Sequence, residues 1–177
     1  GANTFQVTFK GYETKTLTIN NIEYTVKNEK GAQDFNYTIS DDGCIIFKSG
    51  NFTIKGDLNK AHNVKLNASH LWFYGGNLAD TISINAGYCY VDAKGGNDTI
   101  NAGAYANYIY GGDGDDIIYG NNTISGCFIS GGNGNDKITI KNSSTSNYIL
   151  TDNGDDEVNI INSDKNFVYN SSGAINV

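Results

Sequence analysis

From residue 74 onward, aliphatic side chains recur along the chain at a nearly constant interval. Ile82, Ile100, Ile118, Ile138 and Val158 stand 18, 18, 20 and 20 residues apart. Val91, Ile109, Ile129 and Ile149 fall between them, each nine residues before the next member of the first series, and Val168 follows the last by ten. Each anchor is the middle residue of a short unit whose two neighbours need not be aliphatic. Alternation along a strand sends the anchor to one side and both neighbours to the other. Glycines interrupt every turn and no stripe with a 3.6-residue period survives, so helix is excluded. The pattern predicts a solenoid with coils of about 18–20 residues, each made of two short strands and two turns. Stacked coils then form two parallel sheets with the anchors interleaved between them.

The first 45 residues follow another rhythm. TFQVTFKGY, KTLTINNIEYTV and FNYTIS alternate apolar with polar positions, and CIIF follows the turn DDG at 41–43. These segments predict antiparallel strands and hairpins. A solenoid end left open invites edge-to-edge aggregation, so residues 1–45 are expected to form an N-terminal β cap. Residues 46–73 keep the anchors Ile54, Val64 and Phe73 and are expected to be irregular first coils of the stack. The roll is thus placed at 46–177, with its repeats strongest at 74–170.

The two turns of each coil differ in chemistry. Two residues before the first-series anchors stand Asp80, Asp98, Asp116, Asp136 and Asp156 without exception. Two before the second-series anchors stand Cys89, Asn107, Cys127, Asn147 and Asn166, and the insertions around 121–125 and 142–146 fall on this edge too. Strands in a sheet lie about 4.8 Å apart, so aspartates in register form a repulsive carboxylate ladder. A hard divalent cation between successive carboxylates reverses the sign of that interaction. Calcium fits, with its six to eight oxygen ligands and tolerance for backbone carbonyls. Glycine turns can aim peptide oxygens inward and accept positive φ. Gly96, Gly114, Gly134 and Gly154 each stand two before their aspartate, and Gly112 and Gly132 precede them in the two best copies. Leu78 takes that place before Asp80, which makes the first interval the weakest.

GGDGDDIIY (111–119) and GGNGNDKIT (131–139) resemble the nonapeptide G-G-x-G-x-D-x-U-x of the RTX (repeat-in-toxin) calcium-binding proteins. GGNLADTIS, AKGGNDTIN and TDNGDDEVN are similar but degenerate copies, and the five in register cover about residues 74–170. The resemblance implies an all-β, right-handed parallel β-roll, calcium in the turns, and export through a type I secretion channel of a Gram-negative bacterium. RTX rolls usually carry calcium on both edges. Here the Asn/Cys edge lacks the acidic ligand, so a single row of about three to four Ca2+ ions is expected.

The residues just before the second-series anchors form another row: Trp72, Tyr90, Tyr108, Phe128, Tyr148 and Phe167, flanked by Tyr74, Tyr110 and Tyr169. By alternation they point outward. Cross-strand aromatic pairs stabilise a sheet by about 0.2–1 kcal/mol each, which is one use for such a ladder. A large contiguous apolar strip also marks an interaction face. Its partner would be a second copy, another domain of the parent protein, or a sugar ring. The expectation is that the row is covered by the N-terminal segment, by a second roll or by another part of the parent.

Composition narrows the alternatives. The formal net charge is −7 and all 12 basic residues are lysine, which argues against nucleic acid. No apolar run approaches membrane-spanning length and no signal peptide is visible. Gly1 in place of an initiating methionine is expected to mark a segment of a longer chain. The Asn-x-Ser/Thr triplets such as NYT at 36 and NFT at 51 are read as chance in so Asn-rich a chain. Cys89 and Cys127 share a turn position two coils apart, beyond disulfide reach, and Cys44 lies outside the array, so three free thiols are expected. His62 and His70 have no Cys, Ser or carboxylate at an informative spacing and are read as surface or turn histidines. A polysaccharide-lyase reading would need a basic residue beside clustered acids, and the outer face of the first sheet offers only Lys137 next to Glu157. The sequence therefore reads as a non-catalytic calcium-binding module of a larger secreted or cell-surface protein, with an adhesin or carbohydrate-binding fragment as the alternative.

Overall fold

The computed structural model describes residues 3–121 and 123–177; Asn122, inside the first inserted turn, lies outside the described residues, as does Gly1. The described residues form nineteen strands and no helix. Four strands begin the chain: β1 (Thr4–Phe9), β2 (Thr14–Ile19), β3 (Ile22–Asn28) and β4 (Gln33–Ile39). The strands that follow alternate between two sheets. One takes β5 (Ile45–Phe47), β7 (Asn63–Leu66), β9 (Thr81–Ile84), β11 (Thr99–Ala102), β13 (Ile117–Gly120), β15 (Lys137–Lys141), β17 (Asp156–Ile161) and β19 (Ile175–Asn176). The other takes β6 (Phe52–Gly56), β8 (Leu71–Tyr74), β10 (Tyr90–Gly95), β12 (Tyr108–Asp113), β14 (Phe128–Asn133), β16 (Tyr148–Asn153) and β18 (Phe167–Tyr169). From β5 and β6 onward every neighbour in either sheet is parallel. The chain is an all-β solenoid of about seven turns, a parallel β-roll.

The register of the ladder is the interval of the anchors. Ile82, Ile100, Ile118, Ile138 and Val158 are successive partners in the first sheet. Phe73, Val91, Ile109, Ile129, Ile149 and Val168 are partners in the second. All but Val168 are fully buried, so the anchors from the two sheets make the dry interior. Ile54 and Val64 continue the same columns toward the N-terminus.

The four leading strands extend both sheets instead of lying across one. β1 and β4 add antiparallel to the first sheet through β5, and β3 and β2 add antiparallel to the second through β6. The interior there is aromatic. Phe9, Phe35 and Phe52 meet edge-on at 4.8–6.4 Å, and Phe47 links Tyr24 to Phe73 at 6.0 and 6.3 Å. Burying each such ring stabilises by roughly 1.5–3 kcal/mol, which concentrates apolar stabilisation at this end.

The first insertion is more than a bulge. Gly120 takes an inward position where its neighbours carry Ala102 and Ile140, and a Cβ there would press on Ile124 and Ile140 at 2.8 Å. Ile124, supplied by the inserted turn, is buried and fills the space that the glycine leaves.

Candidate metal centre

Each aspartate of the row is buried at the edge where the second sheet turns into the first. One oxygen of each is engaged by the backbone of the coil before it. Oδ1 of Asp98 accepts the Asp80 N–H at 2.7 Å, Asp116 that of Asp98 at 2.7 Å, Asp136 that of Asp116 at 2.9 Å, and Asp156 that of Asp136 at 2.9 Å. Asp80 likewise accepts the His62 N–H at 2.7 Å. The row is therefore a continuous side-chain rung that ties each turn to the next.

The second oxygen separates Asp80 from the rest. Asp80 Oδ2 accepts the Gly76 N–H at 3.1 Å. Among the described residues, Oδ2 of Asp98, Asp116, Asp136 and Asp156 is buried without a hydrogen-bond partner. An ionised oxygen in that state is costly unless a proton or a cation meets it. The titration follows: burial pushes Asp98 up to about 8, Asp116 to about 7 and Asp136 to about 6, with like charge from neighbouring aspartates adding to each. Burial raises Asp80 as well.

Glycine also lets the backbones of successive coils approach closely at this edge. Gly112, Gly114, Gly132, Gly134 and Gly154 hold φ of 116, 129, 111, 131 and 137°. A Cβ on any of them would overlap a carbonyl of the preceding coil, those of Lys94, Gly96, Gly112, Gly114 and Gly134 in turn. Two columns of peptide oxygens thus run along the aspartate edge. Gly96, at φ 104°, opens the second column against the Leu78 backbone.

Three further glycines belong to the site and were not singled out from the sequence. A Cβ on Gly75, Gly111 or Gly131 would overlap Oδ2 of Asp80, Asp116 or Asp136. The signal was present in the doubled glycines at 75–76, 111–112 and 131–132. No three His, Cys, Asp or Glu side chains converge among the described residues. The donor set is one carboxylate per turn plus peptide oxygens, an all-oxygen set that suits a hard cation of calcium's class.

The opposite edge builds the same rung from neutral groups. The Cys89 N–H donates to Asn107 Oδ1 at 2.8 Å, the Asn107 N–H to Cys127 Sγ at 3.4 Å, and the Cys127 N–H to Asn147 Oδ1 at 3.0 Å. Here the second polar atom is an N–H donor. Asn107 Nδ2 donates to the Gly103 carbonyl at 3.1 Å, and Asn147 Nδ2 to Ser143 Oγ at 3.0 Å. Only Asn166 Nδ2, in the last coil, is buried without a partner on this edge among the described residues. Asn107 and Asn147 close their turns by themselves, where aspartate leaves an oxygen open. Cys44, Cys89 and Cys127 are buried free thiols.

A sequence model of the RTX calcium-binding nonapeptide repeat matches residues 92–126 and 128–139, in four copies. The chain carries RTX calcium-binding repeats. No curated protein and no solved structure matches it. The repeats together with the solenoid make it a calcium-binding β-roll module, and the RTX repeat is a structural motif that is generally non-catalytic.

On the outer face of the second sheet of the RTX roll, Trp72, Tyr90, Tyr108, Phe128, Tyr148 and Phe167 occupy one ladder position. Tyr108, Tyr148 and Phe167 are exposed and the other three half-buried. Ring contacts run Tyr74 to Tyr90 at 5.5 Å, Tyr90 to Tyr110 at 5.4 Å and Tyr110 to Phe128 at 5.5 Å, then resume between Tyr148 and Phe167 at 5.0 Å. The N-terminal strands prolong the sheet and do not cover this row.

Lys137 lies next to Glu157 as read from the sequence, whereas the reading of His62 changes. Lys137 and Glu157 form an exposed ion pair at 2.9 Å on the outer face of the first sheet, each occupied by the other. His62 is buried, not on the surface: Nδ1 lies 3.0 Å from the Tyr24 hydroxyl and Nε2 3.0 Å from the Asp57 carbonyl. The ring fills space that Gly56 leaves, since a Cβ there would overlap it. No local signal in the sequence announces a contact between residues 24 and 62.

Proposed function

We propose that this chain is a non-catalytic, calcium-dependent folding module of a larger secreted or cell-surface RTX-type bacterial protein, exported by a type I system. A single row of calcium ions would lie in the three intervals bounded by Asp98, Asp116, Asp136 and Asp156. The oxygens offered there are the four Oδ2 atoms and the carbonyls held by Gly96, Gly112, Gly114, Gly132, Gly134 and Gly154. Asp80 ends the row, since both of its oxygens already accept N–H donors. Bound calcium supplies the positive charge that lets these carboxylates ionise while buried. Without it, the repelling ladder and the entropy of glycine-rich turns oppose folding of the coils. The aromatic row would be the contact face of the module.

The observation that carries this reading is the set of four buried, unpartnered Oδ2 atoms on one edge, against an opposite edge where Asn107 and Asn147 close their turns. The test is a calcium titration of chelator-treated protein, followed by far-ultraviolet circular dichroism and calorimetry. Strand signal should grow with added calcium and saturate at about three ions per chain. A chelated protein with the full strand signal and no heat of calcium binding would overturn the proposal.

A further inference from the structure

Both sheets finish in open edges at each end of the roll. At the first end the outermost strands are β1 and β2, six residues each, and at the last they are β18 and β19, of three and two. An unpaired edge strand is a template for a further strand unless something blunts it. The interior is unfinished at the same places. Val7 and Leu17 at one end, and Val168 and Ile175 at the other, pack against the core yet stay partly exposed, whereas the anchors between them are fully buried. Asn166 Nδ2, a buried donor without a partner among the described residues, also lies in the last coil.

Strand direction decides how these ends can meet. β4 runs antiparallel to β5 and β1 antiparallel to β4, so β1 points the same way as the parallel strands of its sheet, down to β19. By the same double reversal through β3, β2 points the same way as β18. The N-terminal strands thus turn round twice and leave both edges in the direction of the coils. A second roll moved along the axis can therefore lay its β1 beside β19 and its β2 beside β18. Both sheets then run on as parallel ladders.

We infer that the roll stacks head to tail on a second copy of this chain through these edges. Charge selects this pairing over two like ends. Residues 1–19 carry two lysines and one glutamate, while residues 151–177 carry five acids and one lysine. Leaving out Asp156 of the metal row and Glu157, which pairs with Lys137, three acids still outnumber the one lysine. Two tails would set these carboxylates against their own kind, whereas a head meets them with the opposite sign. One contact opposes the join. Lys15 Nζ donates to the Thr8 carbonyl at 2.8 Å and lies 5.1 Å from the centre of the Phe9 ring. An inward lysine of this kind blunts an edge, so the stack is reversible and depends on concentration. A head-to-tail contact related by translation does not close on itself, and its products grow as a ladder of sizes. The inference rests on the calcium reading only for the order of the last coils.

The experiment is sedimentation velocity of the whole chain over a wide concentration range, with calcium and in chelator. With calcium the average sedimentation coefficient should climb with concentration and not level off at a dimer, and in chelator the association should be lost. Leu17→Lys blocks one end and Ile175→Lys the other, and each alone should weaken association at least tenfold. Mixed, the two variants should form a one-to-one dimer that grows no further, since one open head then meets one open tail. Circular dichroism and calcium heat confirm that each variant is folded, and Val7→Lys and Asn176→Pro repeat the two blocks should either misfold. A monomer at every concentration, with normal calcium heat, overturns the inference and leaves the metal reading standing. So does a closed dimer of the unaltered chain, a mixture of folded variants that stays monomeric, or association that Tyr108→Ser abolishes and Leu17→Lys spares. Failure of the metal reading shows separately, as absent calcium heat.

Discussion

Asparagine and aspartate have nearly the same shape, and the roll uses one on each edge for the same rung. Their difference is whether the second atom of the side chain brings its own proton. Asp116→Asn and Asp136→Asn should therefore act in opposite directions on two measurements. Calcium affinity should fall at least tenfold, while the melting midpoint in chelator should rise, because a buried unmet oxygen costs about 1–3 kcal/mol. Asp80→Asn should leave calcium affinity nearly unchanged, since both Asp80 oxygens already have donors. Lower thermal stability of chelated Asp116→Asn would show that the open oxygen is not what burdens the metal-free fold. Gly134→Ala probes the carbonyl column: φ 131° strains any other residue by about 1–3 kcal/mol, and the new Cβ would meet the Gly114 carbonyl. Its melting point should fall with and without calcium. The aspartate positions were readable because a fixed spacing repeats them. The engagement of Asp80 and the burial of His62 were not, since both depend on atoms 18 and 38 residues away along the chain.

Strand positions were legible for a related reason: each anchor is flanked by outward residues, and a period of two leaves one assignment that buries every anchor. What spacing cannot convey is how a sheet ends. Alternation marks β1 to β4 as strands, yet nothing local says that they continue both sheets antiparallel. Nor does the insertion at 121–125 announce that Ile124 replaces the side chain missing at Gly120. Coupling between turns sets the pH response of the stack. The carboxyls of Asp98, Asp116 and Asp136 are raised to about 8, 7 and 6, far above an unfolded aspartate near 3.9, so the metal-free folded state binds more protons than the unfolded state. Its stability then falls as pH rises. Dialysed, calcium-free protein should melt highest near pH 4, lose stability most steeply from there to about pH 6, and level off by about pH 8. A melting point that climbs over that range would contradict the burial of these groups.

Over the whole molecule, apolar packing is richest at the N-terminal end, where the phenylalanines cluster, and the open oxygens begin only at Asp98. Calcium dependence should follow that gradient. In chelator, hydrogen exchange of the full chain should leave amides in β3, β4 and β6 protected, while those from β11 to β17 exchange rapidly. Uniform protection, or uniform loss, would mean that the two ends fold as one unit. The same architecture has a mechanical side. Along the roll each coil is fastened only to the coil before and after it, so a pull on the C-terminus loads the rungs one at a time. Each released coil of 18–20 residues would lengthen the chain by up to about 60–70 Å. The stack would pay out as a row of similar, reusable links, stiffened by calcium, with the antiparallel strands at the far end as the anchor that yields last.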